Sequence, residues 1–187
     1  MNKNIRVSIL CLFVCVKGFS QIIFDFESDV DNWQSKSKNI ELMSSQEYAC
    51  SGLACLKIHA NASETAWVAY PNKLDFSNCQ FLKFNIYLPD RNLDEISFKC
   101  YVQDSEWNWF ETGLFRIKGG SKQEIVINIS HKSFDWKPLN HLKSWDSYVT
   151  RNISEFGIML FFQKNYTGSC YIDSFELIKT KYPDKKI

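Results

Sequence analysis

The feature that most restricts this chain's fold is a strict two-residue alternation of apolar and polar side chains. In FLKFNIYLP, Leu82, Phe84, Ile86 and Leu88 fall on one face, with Lys83, Asn85 and Tyr87 on the other. EISFKCYVQ repeats the pattern with Ile96, Phe98, Cys100 and Val102. Successive side chains of a strand point to opposite faces, so such segments bury one face and wet the other. FDFES, CLKIHA, AWVAY, QEIVINIS, EFGIMLFFQ and CYIDSFELI read as further strands. Turn signals at Ser51-Gly52, Pro89-Asp90, Gly119-Gly120 and Thr167-Gly168 separate them. Helical periodicity is weak, the best candidate being a turn or two within residues 144–154. Many short strands without helical interludes predict an all-β sandwich of two antiparallel sheets.

The first residues stand apart. MNKNIRVSILCLFVCVKGFSQ places Lys3 and Arg6 before an apolar run from Val7 to Val16, then offers Gly18 and Ser20 where a signal peptidase cuts. This reads as a secretory signal, too short to span a bilayer, with cleavage before Gln21. The expected organisation is a signal over residues 1–20, one β domain over 21–179 and a polar tail over 180–187. Cys15 lacks the small residues that precede a lipoprotein cysteine. The expected product is therefore soluble and secreted, periplasmic or at the cell surface, with no membrane span.

Charge narrows the partners. Lys and Arg number 22 against 21 Asp and Glu, and no basic run interleaves with aromatics. Nucleic acid and acidic membranes are thus poor partners. Beyond the signal stand Cys50, Cys55, Cys79, Cys100 and Cys170, an odd set that leaves a free thiol in each chain unless chains cross-link. Cys50 and Cys55 in ACSGLAC could close a small loop, and the sequence does not fix the pairing. With no C-x-x-C pair and three scattered histidines, there is no zinc ligand set.

The two ends of the domain carry a resemblance. F-D-F-E followed by Trp33, then S-G-x-x-x-L-K-I from Ser51, and a closing Y-I-D-x-x-x-L from Tyr171 resemble a galactose-binding-like β-sandwich. That is the jelly-roll fold of many non-catalytic carbohydrate-binding modules associated with glycoside hydrolases. YVQDSEWNW and DWKPLNHLKSWDSYVTRNISEFGI are similar to further segments of such modules. The resemblance implies a structural calcium between the first and last strands, with Glu27 and Asp173 at the matching positions and Asp25 on the face of Glu27. Carbonyls of the Cys50–Gly52 turn would complete a shell of six to eight oxygens. Trp33 matches a packed position.

The aromatic residues suggest the ligand. Aromatics make up 16% of the chain. A pyranose offers a face of C–H groups that an aromatic plate desolvates, while planar polar side chains read its hydroxyl rim. Trp107 and Trp109 share parity, and with Tyr101 and Gln103 they read as one binding face, the alternative being a hairpin that folds one of the two rings into the core. Asp104 and Glu106 in the turn are candidate acceptors of hydroxyl hydrogen bonds. Trp136, His141 and Trp145 form a second cluster in a long polar connection, which reads equally as a binding loop or as a loop pinned to the sandwich by its aromatics, and Trp67 is a further candidate plate or an edge-strand cover. The expected function is recognition of a polysaccharide or oligosaccharide, alone or beside a glycan-degrading enzyme or surface complex.

Two other classes compete, a polysaccharide-degrading enzyme (hydrolase or lyase) and a protein-interaction module. A glycosidase needs two carboxylates about 5–5.5 Å or 6.5–9.5 Å apart, and Glu106 and Glu111 are candidates. A jelly-roll lyase would cast Tyr101, His141 and Arg151 as proton-transfer groups. A protein-interaction module would use the same sheet, but its signature is an apolar patch without planar polar partners. Gln103, Asp104, Glu106, Asn108 and Glu111 around the tryptophans favour a hydroxyl-rich ligand.

Overall fold

The computed structural model describes residues 19–179. The expected tail and all but the last two residues of the expected signal lie outside them. Eleven strands and one short helix follow in chain order: β1 (Phe19–Phe24), β2 (Gln34–Ser35), β3 (Ile40–Ser45), β4 (Cys55–Tyr70), β5 (Phe81–Leu88), β6 (Glu95–Asp104), β7 (Trp109–Glu111), β8 (Phe115–Lys118), β9 (Ser121–Asn128), β10 (Lys137–Pro138), α1 (Ser147–Arg151) and β11 (Ile153–Lys179). All pairings between strands are antiparallel. The architecture is the expected β-sandwich.

Two long strands make the layers. β4 has 16 residues and β11 has 27, far beyond an ordinary strand. Each crosses from one layer to the other. In the front layer, Phe156–Phe161 of β11 pairs with Thr65–Tyr70 of β4 on one side and with β6 on the other. β2 lies beyond β4, and β7 and β8 lie one after the other along the far edge of β6, with β10 beyond β7. In the back layer, the second half of β11 pairs with Leu56–Ala60 of β4, with β5 and with β1. β3 and β9 extend that layer. The register of β11 against β4 shifts between Phe161 and Gly168, where the strand turns the corner.

The inward faces are those the alternation marks. Leu82, Phe84, Ile86 and Leu88 are fully buried, as are Phe98, Cys100 and Val102. Phe175 sits at the centre. Its ring meets Phe84 at 4.7 Å, Trp33 at 5.4 Å, Phe24 at 5.6 Å, Phe156 at 5.8 Å and Phe26 at 6.2 Å. Phe156 and Phe175 belong to opposite halves of the same strand, so their contact closes the sandwich. FDFES is strand only at its start: Phe26 is left-handed at φ 58°, which turns its ring inward. α1 falls within the expected helical segment, capped by Asp146, which accepts from the N–H groups of Tyr148 and Val149. No helix of the described residues is long and apolar enough to cross a membrane.

The cysteines correct one expectation. Cys50 and Cys55 do not close a loop, and all five described cysteines are free thiols. The Cys55 thiol donates to the Glu47 carbonyl at 2.8 Å, whereas Cys50 turns back to the Tyr48 carbonyl at 3.8 Å. Burial pushes the Cys55 thiol up to about 12, which keeps it protonated and unreactive.

Because five aromatic rings lose a partner at once, Phe175→Ala is expected to cost about 3–5 kcal/mol of unfolding free energy. Urea denaturation measures this, and a loss below about 1 kcal/mol would show that the cluster is not the core's anchor.

Candidate functional site

The outward face of the front layer carries a stacked platform. Tyr101 of β6 faces away from the core, opposite Gly157 of β11. A Cβ at Gly157 would lie 2.3 Å from the Tyr101 ring, so only glycine lets that ring lie on the strand. Trp109 of β7 stacks on Tyr101 with centroids 4.1 Å apart and planes 6° apart. Trp67 of β4 meets both rings edge-on, at 5.7 and 5.6 Å.

Two carboxylates hold the rings. Tyr101 donates its hydroxyl to Glu155 at 2.7 Å, and Lys36 pairs with the other oxygen of Glu155 at 2.9 Å. Trp109 donates its indole N–H to Glu111 at 3.0 Å, which Lys99 pairs at 2.8 Å. Burial, then the hydrogen bond to Glu155, pushes the Tyr101 hydroxyl far above the usual tyrosine range. It stays a neutral donor.

Trp107 stands beside the platform at the tip of the β6–β7 turn. It is 80% exposed and left-handed at φ 67°, a conformation that costs a non-glycine residue about 1–2 kcal/mol. Asp104 offsets that cost. Its buried carboxylate accepts from Glu106 N at 2.8 Å, Asn108 N at 2.9 Å and Asn108 Nδ2 at 2.8 Å. Ser154 donates to the Gln103 and Asp104 carbonyls and ties the turn to β11. An open groove of about 650 Å³ results, bordered by Trp67, Trp107, Trp109, Gln103, Lys36 and Glu155. Its size is that of a ligand cleft.

The expected site residues separate. Trp107, Trp109 and Gln103 come together. Tyr101 is in the same assembly but fully buried beneath Trp109, so it supports the plate instead of forming it. Asp104 is spent on the turn, and Glu106 is held by Lys143 at 3.1 Å, which keeps its carboxyl below the usual range. Trp136 and Trp145 do not reach this groove. They stack on each other at 4.7 Å, 3% and 7% exposed, and donate to the carbonyls of Asn128 and Ser130. Their indoles pin the long connection to the sandwich, and exposed His141 lies apart from the platform.

Sequence reasoning passed over Glu155, Lys36 and Gly157. A glycine inside a strand pattern marks close approach by a neighbour, and Glu155 shares its outward parity. Those two signals were available in EFGIML.

In the back layer, Glu27 and Asp173 converge on one loop. Glu27 accepts from Leu53 N at 2.8 Å, and Asp173 accepts from Ser51 N at 3.0 Å and Ser174 N at 2.6 Å. Gly52, at φ 63°, makes room for the Glu27 carboxylate. Asp25 turns instead onto its own backbone, accepting from Glu27 N, and is exposed. Among the described residues no three His, Cys, Asp or Glu side chains group to hold a metal. Any cation here would draw on two carboxylates and backbone carbonyls.

The model of a family described as mannanase, galactose-binding domain-like matches residues 24–133, more than half of the chain. The chain belongs to this family. No curated protein matches this galactose-binding-like domain. Among solved structures, CBM27-1 of Caldicellulosiruptor saccharolyticus in complex with mannohexaose is 17% identical with a TM-score of 0.57, the match covering 85% of this chain and 96% of that one. The family 11 carbohydrate-binding module of a Clostridium thermocellum cellulosomal cellulase is 15% identical with a TM-score of 0.56, over 87% and 96%. An exo-β-agarase is 15% identical with a TM-score of 0.62, over 87% of this chain but only 25% of the agarase. The galactose-binding-like domain therefore has the fold of carbohydrate-binding modules and spans about a quarter of that enzyme's length.

Gly157→Ala is expected to push Tyr101 off the strand and cost about 1–3 kcal/mol by overpacking. Thermal denaturation with near-ultraviolet circular dichroism measures both the cost and the loss of the Tyr101–Trp109 stack.

Proposed function

We propose that this domain is exported, lacks catalysis of its own and binds a neutral β-linked polysaccharide across the Trp67–Trp107–Trp109 groove. The observation that carries the reading is the grouping of three tryptophans around one groove, with a polar rim. The rings offer apolar plates to the C–H faces of successive sugars, and Gln103, Glu155 and Lys36 can read hydroxyls. Lys36 and Glu155 cancel each other's charge, which favours a neutral chain over a uronate or sulfated one. The mannohexaose complex of CBM27-1 makes mannan the first candidate. A related glucan is the second, since a family 11 module was solved with a β-1,3-1,4-mixed-linked tetrasaccharide.

The engaged state of the candidate catalytic groups supports a binding role. Glu106 and Glu111 are both paired with lysines, and the Tyr101 hydroxyl is buried and committed to Glu155. As a quarter-length part of an agarase's fold, such a sandwich fits work beside a glycan-degrading enzyme. We further propose a structural calcium held by Glu27, Asp173 and carbonyls of the Cys50–Gly52 loop. Oxygen donors suit this hard ion, and each carboxylate retains lone pairs beyond its N–H contacts.

Calorimetry against mannohexaose and mixed-linkage glucan tests the binding reading, with assays for new reducing ends and unsaturated uronates afterwards. Saturable binding without product is expected. Trp109→Ala and Trp107→Gly should each weaken it at least about tenfold, in line with truncation of an aromatic anchor. Trp107→Gly relieves a left-handed tryptophan and should change stability by less than about 1 kcal/mol, so lost affinity would not reflect unfolding. Product formation would establish an enzyme instead.

For calcium, EDTA should lower the melting temperature by at least about 3 °C, and added calcium should restore it. No change in either direction would remove the ion from the description.

A further inference from the structure

A second groove differs in chemistry from the first. It is open, about 790 Å³ in volume, and lies along the connection from Lys132 to Trp145. Lys132, Lys137 and Lys143 border it together with Phe134, and no acidic side chain does. Lys143 is paired with Glu106, whereas Lys132 and Lys137 make no ion pair among the described residues. The whole chain is nearly neutral at formal +1, so this local excess of cation is a property of the groove.

Phe134 is the second element. It is 94% exposed although Ser133 before it and Trp136 two residues on are buried. The backbone on both sides of it is fixed. Ser133 N donates to the Ser130 carbonyl at 2.9 Å, Asp135 N donates to Ser133 Oγ at 3.1 Å, and the Asp135 carboxylate accepts from Asn128 N at 3.2 Å. The phenyl ring is therefore held out in solvent by a braced loop. It also borders a neighbouring groove of about 330 Å³, with Lys137 shared between the two; Asp135 lines that second groove as well, its carboxylate accepting from Asn128 N. A ridge between two grooves, with a lysine reaching both, fits a chain laid across it.

We propose that this edge of the sandwich is a second saccharide site, specific for an anionic glycan bearing sulfate or carboxylate groups. The lysine ammoniums take the anionic groups, Phe134 takes a sugar face, and the stacked Trp136–Trp145 pair beneath forms a rigid floor. An anionic lipid surface fits the loop less well. Leu142, also strongly exposed, borders a groove carrying Asp104, Glu106 and Asp146, which such a surface would repel. The site is independent of the tryptophan groove on the sheet face.

Dextran and dextran sulfate share a backbone and differ only in charge, so affinity electrophoresis of the full chain against each tests the proposal. Dextran sulfate should retard the protein and dextran should not. Phe134→Ala should weaken retardation about fivefold, as loss of one aromatic contact does. The Lys132→Ala/Lys137→Ala pair should weaken it about tenfold and flatten its dependence on salt. Trp109→Ala should leave it unchanged, which separates this site from the sheet-face groove. Lys132, Phe134 and Lys137 are exposed and Trp109 is half-buried, so unchanged melting curves would verify folding of each variant. Undiminished binding by both the Phe134 and the lysine variants would overturn the site, since the polyanion would then be held by cations elsewhere. No retardation at low salt would overturn it too, as would binding to phosphatidylglycerol vesicles but not to dextran sulfate.

Discussion

The hydrogen-bonded passage of β11 through both layers is the constraint on which the rest of the molecule depends. Its first half completes the front sheet between β4 and β6, and its second half completes the back sheet among β1, β4 and β5. Because one strand serves both layers, its side chains position core and surface together. Phe156 and Phe175 point inward and meet, while Glu155 and Gly157, of opposite parity to Phe156, form the base of the outward platform. A shift of one residue in the register of β11 would turn Phe156 to solvent and Gly157 to the core.

The platform shows how weak interactions acquire a use. Lys36–Glu155 and Lys99–Glu111 are partly exposed pairs, each worth at most about 1 kcal/mol as a stabilising contact. Their larger effect is geometric. Glu155 fixes the Tyr101 hydroxyl and Glu111 fixes the Trp109 indole, so the two stacked rings are clamped from opposite directions. The long connection uses its tryptophans differently. Trp136 and Trp145 spend both indole N–H groups on backbone carbonyls and leave Phe134 as the exposed aromatic.

The fold was legible in the sequence because alternation depends only on local parity. Each face assigned in Leu82–Leu88 and Ile96–Val102 is the face observed to be buried. The site was legible in part. Parity correctly turned Tyr101 outward, but outward is not exposed: Trp109 arrives from another strand to cover it, and no local pattern encodes that tertiary stack. Trp136 and Trp145 were ambiguous for a related reason. Their polar connection reads equally as a binding loop or as a loop pinned by its aromatics, and only the carbonyls of Asn128 and Ser130, which satisfy their N–H groups and allow burial, decide for the second. Glu27 and Asp173 were placed beside the same loop by resemblance alone, and the N–H contacts they make there have no sequence signature.

The Asp104 turn has a kinetic consequence. Its carboxylate immobilises Glu106, Asn108 and, between them, the left-handed Trp107, so the wall beside the platform stands before any ligand arrives. That turn does not have to order itself on contact. Association with a ligand of the proposed groove would then be limited by encounter and alignment, and differences in affinity between such ligands would lie in how long each one stays.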